Sequence, residues 1–154
     1  MAVNPAGGVI ISIGDTTECS TLEEFEAISY VDVGQVEDGG QFGDESKQIE
    51  FTSLQDSRVQ KFKGPRDAGT MSVVVGDDPN DHGQGIMEAA QLTKFDYCFR
   101  VTFNDAVTLT GNPSLHFFMA KVMGERANVG NAMNIVKRTF QLGINSAIFE
   151  TLPD

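Results

Sequence analysis

Tryptophan is absent from the 154 residues, and tyrosine, histidine and cysteine occur only twice each. Cys19 lies in a polar, loop-like stretch and Cys98 inside a strand pattern; the pair has neither metal-ligand spacing nor the look of a disulfide framework, so two free thiols are expected. His82 borders a turn and His116 sits in a strand; without Cys/His spacing for zinc, both read as structural. No apolar run approaches the ~20 residues of a membrane-spanning helix. The opening MAVNPAGGVIISIGD lacks a basic region and a long enough apolar run for a signal peptide, so synthesis in a cytosol without membrane attachment is expected. Positive charge is also scarce: 11 bases face 22 acids, for a formal net charge of −11. Twelve of the acids but only two of the bases fall in residues 1–60. Binding along nucleic-acid phosphates requires clustered Lys and Arg. Only Lys61, Lys63 and Arg66 cluster, with Lys137-Arg138 as a smaller pair, which argues against DNA as an attractive ligand and leaves repulsion of DNA open.

The motifs of catalysis are missing as well. There is no G-x-S-x-G nucleophile turn, Gly83-Gln84-Gly85 is not followed by dinucleotide-loop glycines, and no Walker-type Lys-Ser/Thr follows a glycine run. Neither an enzyme nor a cofactor is expected. Asp77, Asp78, Asn80 and Asp81 form an oxygen-rich cluster of the kind that holds Ca²⁺, but it lacks the alternation and closing Glu of an EF-hand loop. Helix capping by Asp78 and Asp81 accounts for the same residues without a metal. The alternative class is therefore a monomeric acidic β-sandwich binding module with Asp77, Asp78 and Asp81 as its metal ligands.

What is present is a strand pattern. The length suits one domain, 1–154, and 16 glycines suit many strands joined by turns. Residues 1–8 are small and read as a flexible arm. Val9–Ile13 is a first strand, Leu22–Ile28 a short helix behind the doubled capping signal Ser20/Glu23 and Thr21/Glu24, and Tyr30–Val36 a strand running into Gly39-Gly40. Met71, Val73 and Val75 alternate with polar or smaller neighbours; Phe95–Phe103 and Val136–Ile144 do the same. Leu115–Met123 is apolar on both faces and reads as a central strand or one covered by another subunit, followed by a polar loop over 124–134. Asp78 at N-cap with Pro79 at the first helical position predicts a helix with Ile86, Met87, Ala90 and Leu92 on one side. The sum is a mainly antiparallel β-sandwich or barrel with one flanking α-helix. Residues 38–57 stand apart: acidic, glycine-rich, with Phe42, Ile49, Phe51 and Leu54 spaced through them. So long a loop in a compact domain reads as a hairpin arm that orders against a neighbour.

The strand ending in Gly76-Asp77-Asp78-Pro79, followed by Asn80-Asp81 and Gly83-Gln84 at the head of an Ala-rich helix, resembles the central signature of tail tube proteins of long-tailed phages and gene transfer agents. The segment Lys63–Val73 before it and Val136–Ile144 near the end resemble the same family. The resemblance implies a small β-sandwich with a flanking helix. It implies that six copies form a ring whose strands line a channel, and that rings stack head to tail through the long loop to carry DNA from capsid to cell. It implies a virion tail assembled in a host cytoplasm, with the chain itself, tape measure, tail terminator and baseplate proteins as partners. Type VI secretion tube proteins share this fold and give a further alternative. On this reading Phe42, Asp44, Glu45, Ile49, Phe51, Leu54, Lys61, Lys63 and Arg66 form the inter-subunit contact, the acidic loop meeting the basic cluster and Lys137/Arg138 across rings. Asp32, Glu37 and Glu50 are candidate lumen acids, placed where negative charge lets DNA slide.

Overall fold

The structure, a computed structural model, describes residues 3–154. The arm expected at residues 1–8 begins outside them, at Met1 and Ala2; residues 3–8 are exposed. Twelve elements follow in order: β1 (Ile10–Ile13), α1 (Leu22–Glu26), β2 (Val31–Val33), β3 (Val36–Asp38), β4 (Glu45–Thr52), β5 (Val59–Asp67), β6 (Thr70–Gly76), α2 (His82–Gln91), β7 (Tyr97–Thr102), β8 (Leu115–Asn128), β9 (Lys137–Ile144) and β10 (Phe149–Thr151). Every strand pairing is antiparallel. One sheet runs β2-β1-β7-β8-β9-β6-β3, with β10 also on β8, and β4-β5 stand as a separate ribbon.

The sheet curls into a barrel-like wall, and its topology shows why. β2 and β3 are its two edges, yet only Gly34 and Gln35 separate them in the chain. The edges must therefore meet at one corner. Tyr30–Val36, expected as one strand, is two short strands, because Gln35 takes a left-handed conformation (φ 57°) that breaks extended pairing. The chain turns there from one edge to the other.

That corner is fastened by the start of α2. The helix begins at His82 with Asp81 as N-cap, three residues later than expected. Asp78 instead accepts from the Asn80 N–H in a local turn. One Asp81 carboxylate oxygen accepts from the Gln84 N–H (2.9 Å) and the Gly34 N–H (3.0 Å). The buried Gln84 amide donates to the carbonyls of Gly34 and Gly76, both at 2.9 Å, and accepts from the Asp78 N–H. Gly83 lets the helix approach so closely: a Cβ there would sit 2.2 Å from the Asp32 carbonyl oxygen. Met87 and Ala90 then face the core, while Leu92, expected on the same stripe, is exposed.

Alternation places the rest. Met71, Val73 and Val75 of β6 and Phe140, Leu142 and Ile144 of β9 point into the main core with Phe99, Val101, Phe118 and Val122. β8 is apolar on both faces because α1 covers its outer side: Phe25 packs with Phe117, Met119, Cys19 and Cys98 in a second cluster. Thr21 caps α1 by accepting from the Glu24 N–H. β8 also continues to Asn128, through the segment expected as a polar loop, because Glu125–Asn128 pair with Phe140–Lys137.

At the other end of the wall His116 lies against Phe103 (4.4 Å) and edge-on to Phe42 (5.5 Å), with its Nδ1 unpartnered. Burial lowers its pKa below the usual 6.5, while the nearby carboxylates of Glu150 and Asp105 pull the other way.

Two tests follow from these contacts. Gln84→Leu leaves buried carbonyls unpaired and should cost about 2–4 kcal/mol, lowering Tm by about 5–15 °C; Gly83→Ala should cost more. A calorimetric melt within a degree of the parent would refute the fastening role. For His116, the unfolded chain takes up a proton near pH 6.5, where the folded imidazole still refuses it. Stability should therefore fall as pH is lowered through about 6.5. The difference between the parent and His116→Phe in urea melts from pH 8 to 5 isolates this from Glu125, whose raised pKa acts in the opposite direction.

Candidate assembly interface

The β4-β5 ribbon projects from the barrel. Every residue of both strands is exposed except the half-buried Gly64, and neither strand has substantial contact with another element. The ribbon pairs Ile49 with Phe62, Glu50 with Lys61 and Gln48 with Lys63. Directly opposed residues share a face and faces alternate along each strand. Ile49, Phe51 and Phe62 therefore line one face, exposed by 49%, 58% and 51%, and Gln48, Glu50, Lys61 and Lys63 line the other. The tip turns at Ser53–Arg58, where the Ser57 N–H donates to the Ser53 carbonyl and Leu54 stands fully in solvent. Near the root, Gly64-Pro65 oppose the single Lys47 in a bulge, a place where an edge strand accommodates a proline that cannot donate. Two strands alone are marginal in water, and an apolar face on such a ribbon calls for a cover.

The arm differs from the sequence reading in three respects. It spans Glu45–Asp67 rather than 38–57, so Lys61, Lys63 and Arg66 are its second strand and not a separate patch. Residues 45–67 hold five of the 11 bases and four of the 22 acids, so the arm is slightly basic and the remainder carries all of the negative excess. Phe42 is not a free contact residue. It is half-buried against Phe103, Phe118 and His116 and anchors the arm's root to its own barrel. Asp44 pairs with Arg66 in the same chain at 3.5 Å, while Glu45 stands opposite Asp67. Ile49, Phe51, Leu54, Lys61 and Lys63 remain outward.

Lys137 and Arg138 are committed within the subunit as well. Lys137 pairs with Glu37 of β3 at 2.8 Å. The Arg138 guanidinium is shared by Glu125 (2.6 Å), Asp77 (2.9 Å, ionic without aligned hydrogen-bond geometry) and Glu88. Burial, with Asp77 beside it, pushes the Glu125 carboxyl up. The supposed metal ligands thus have separate tasks: Asp77 on Arg138, Asp78 in a turn, Asp81 on the helix start. No group of three or more metal-ligating His, Cys, Asp or Glu side chains occurs among the described residues. Of the candidate lumen acids, Glu50 lies on the arm. Asp32 sits on edge strand β2, accepting from the Ser12 hydroxyl at 2.7 Å, and Glu37 on edge strand β3. A second exposed apolar stretch lies between β8 and β9, where Val129, Met133 and Ile135 face solvent.

No protein-family profile matches the sequence, and no curated protein sequence matches it. Solved structures do. A chain of the PVC sheath/tube terminator of an extracellular contractile injection system matches at TM-score 0.65 and 14% identity, over 98% of each chain. The SPP1 tail tube matches at TM-score 0.64 and 15% identity, over 97% of this chain and 81% of that one. The tail of the empty GTA particle, solved with C6 symmetry, matches at TM-score 0.65 and 12% identity, over 97% and 99%. None of these matches is to a protein described as an enzyme. At such low identity the common property is the fold, and it extends over nearly the whole chain: the barrel, its helix and its projecting ribbon have the fold of phage tail tube and injection-system tube proteins.

Proposed function

We propose that this chain is the tube subunit of a phage-type tail. Six copies close into a ring, and rings stack into a hollow tube through the β4-β5 arm. The observation that carries the reading is the arm itself: a two-stranded ribbon with one apolar face that its own subunit leaves uncovered. A second copy is the occupant that its chemistry fits. The arm is slightly basic and the rest of the chain acidic, so arm-to-body contact between copies is attractive, and head-to-tail contacts of this kind generate rings or filaments. The fold shared with tail tube proteins supports the same reading.

Within such a tube the acidic bodies give a negative lumen that DNA traverses without being held. Tape measure, terminator and baseplate proteins are the further partners, and the location is the tail of a virion or phage-like particle assembled in a host cytoplasm. The subunit works by geometry and charge, without a catalytic step or a cofactor.

Electron microscopy with size-exclusion chromatography tests this. The parent chain should give rings or tubes when concentrated; a species that stays monomeric would refute the proposal. Replacing 45–67 by a short Gly-Ser link should leave a folded barrel, by its melting curve, that forms no tubes. Excision must take both strands, since removal of β4 alone would strand β5. The milder double variant Phe51→Ser/Phe62→Ser should shift Tm by no more than a few degrees, as expected of exposed sites, and still abolish stacking. Long tubes from either variant would show that the arm is not the joint.

A further inference from the structure

Cys19 and Cys98 are 79 positions apart in the chain, and their sulfurs are 3.7 Å apart. Both are free and buried. Cys98 belongs to β7; Cys19 lies in the 14–20 segment that leads into α1. That segment is pinned to the wall by backbone bonds from the Gly14 N–H to the Cys98 carbonyl (2.7 Å) and from the Cys98 N–H to the Asp15 carbonyl (2.9 Å). The Cys19 N–H lies 3.4 Å from the Met119 sulfur. Both thiols reach the same acceptor, the Thr17 carbonyl, at 3.4 and 3.1 Å. The two sulfurs are thus held side by side by groups on both elements. We propose that Cys19 and Cys98 are a modification site: they form a reversible internal disulfide that staples the α1 cover to the barrel wall when the chain meets an oxidising low-molecular-weight disulfide.

The step balances by thiol–disulfide exchange. The Cys19 thiolate attacks one sulfur of oxidised glutathione, forming a mixed disulfide and releasing one glutathione thiolate. The Cys98 thiol gives its proton to solvent, and its thiolate attacks Cys19 Sγ and expels the second glutathione thiolate. The protein loses two protons and two electrons, and oxidised glutathione gains them as two thiols. Cys19 takes the first role because it is 5% exposed and Cys98 0%. An S–S bond is about 2.05 Å long, so the sulfurs close by roughly 1.7 Å. Cys19, on a loop, supplies that movement while Cys98 stays in its ladder. Burial raises both thiol pKa values, that of Cys98 to about 12. The exchange is therefore slow and waits on opening of the 14–20 segment. In a reducing compartment the pair stays a dithiol and packs as two small apolar side chains.

The test uses the free subunit and is independent of tube formation. Native protein is incubated with oxidised glutathione, denatured, alkylated and weighed. The expected product has lost two hydrogen atoms and takes up no alkylating agent. It melts at least about 5 °C higher, since a loop of this length is closed, and dithiothreitol restores the original. Cys19→Ser and Cys98→Ser should each prevent it. A parallel sample refolded in reduced and oxidised glutathione removes access as a variable. Two alkylatable thiols in that sample, a glutathione adduct that persists unresolved, or a disulfide between two chains would each overturn the proposal.

Discussion

The molecule depends on one buried side-chain amide. Gln84 holds the carbonyls of Gly34 and Gly76 and the N–H of Asp78, and beside it Asp81 holds Gly34 and the helix start. These groups come from the β2-β3 corner, the end of β6 and the first turn of α2. A sheet of this order has two edges that the Gly34-Gln35 link brings to one corner and that these bonds fasten there. Unpaired buried amides and carbonyls are costly, so the low dielectric that would penalise an open corner strengthens a closed one. The rest of the wall follows from alternation once the corner fixes where it begins and ends.

The arm obeys the opposite rule. Its strands satisfy each other's backbone groups and almost nothing else, so its geometry is local while its apolar face is not provided for. The bulge at Gly64-Pro65 and the lysines on the polar face are devices by which edge strands resist indiscriminate pairing. Such an arrangement suits an element that must remain soluble on its own and bind one particular surface.

Much of the wall was legible in the sequence. Met71/Val73/Val75 and Phe140/Leu142/Ile144 repeat every second residue because one face is buried, and two-sided apolarity marked Leu115–Met123 as central. What failed were features fixed by distant partners. Tyr30–Val36 reads as one strand because nothing local marks Gln35 as left-handed. Asp78 and Asp81 both look like caps, though Asp81 with Gln84 three residues on is the stronger signal. The arm's end was set at Ser57, where the acidic, spaced-apolar composition stops, because nothing local ties Lys61 and Lys63 to their cross-strand partners Glu50 and Gln48. Phe42 resembled the arm's other aromatics until Phe103 and His116 were found against it. No local pattern could bring Cys19 to Cys98.

The strand order also sets a clock. The long strands β8 and β9, made near the end of synthesis, occupy the middle of the sheet, and β1 finds β7 only after most of the chain exists. Until then only the arm and the short β1-β2 and β3-β6 pairs have both of their strands. The joining piece is therefore ready long before the body that must receive it, and non-local pairing of this kind is slow. A nascent subunit thus carries an adhesive surface with nothing finished behind it. Timing, as much as affinity, decides whether it meets a completed copy or another unfinished one.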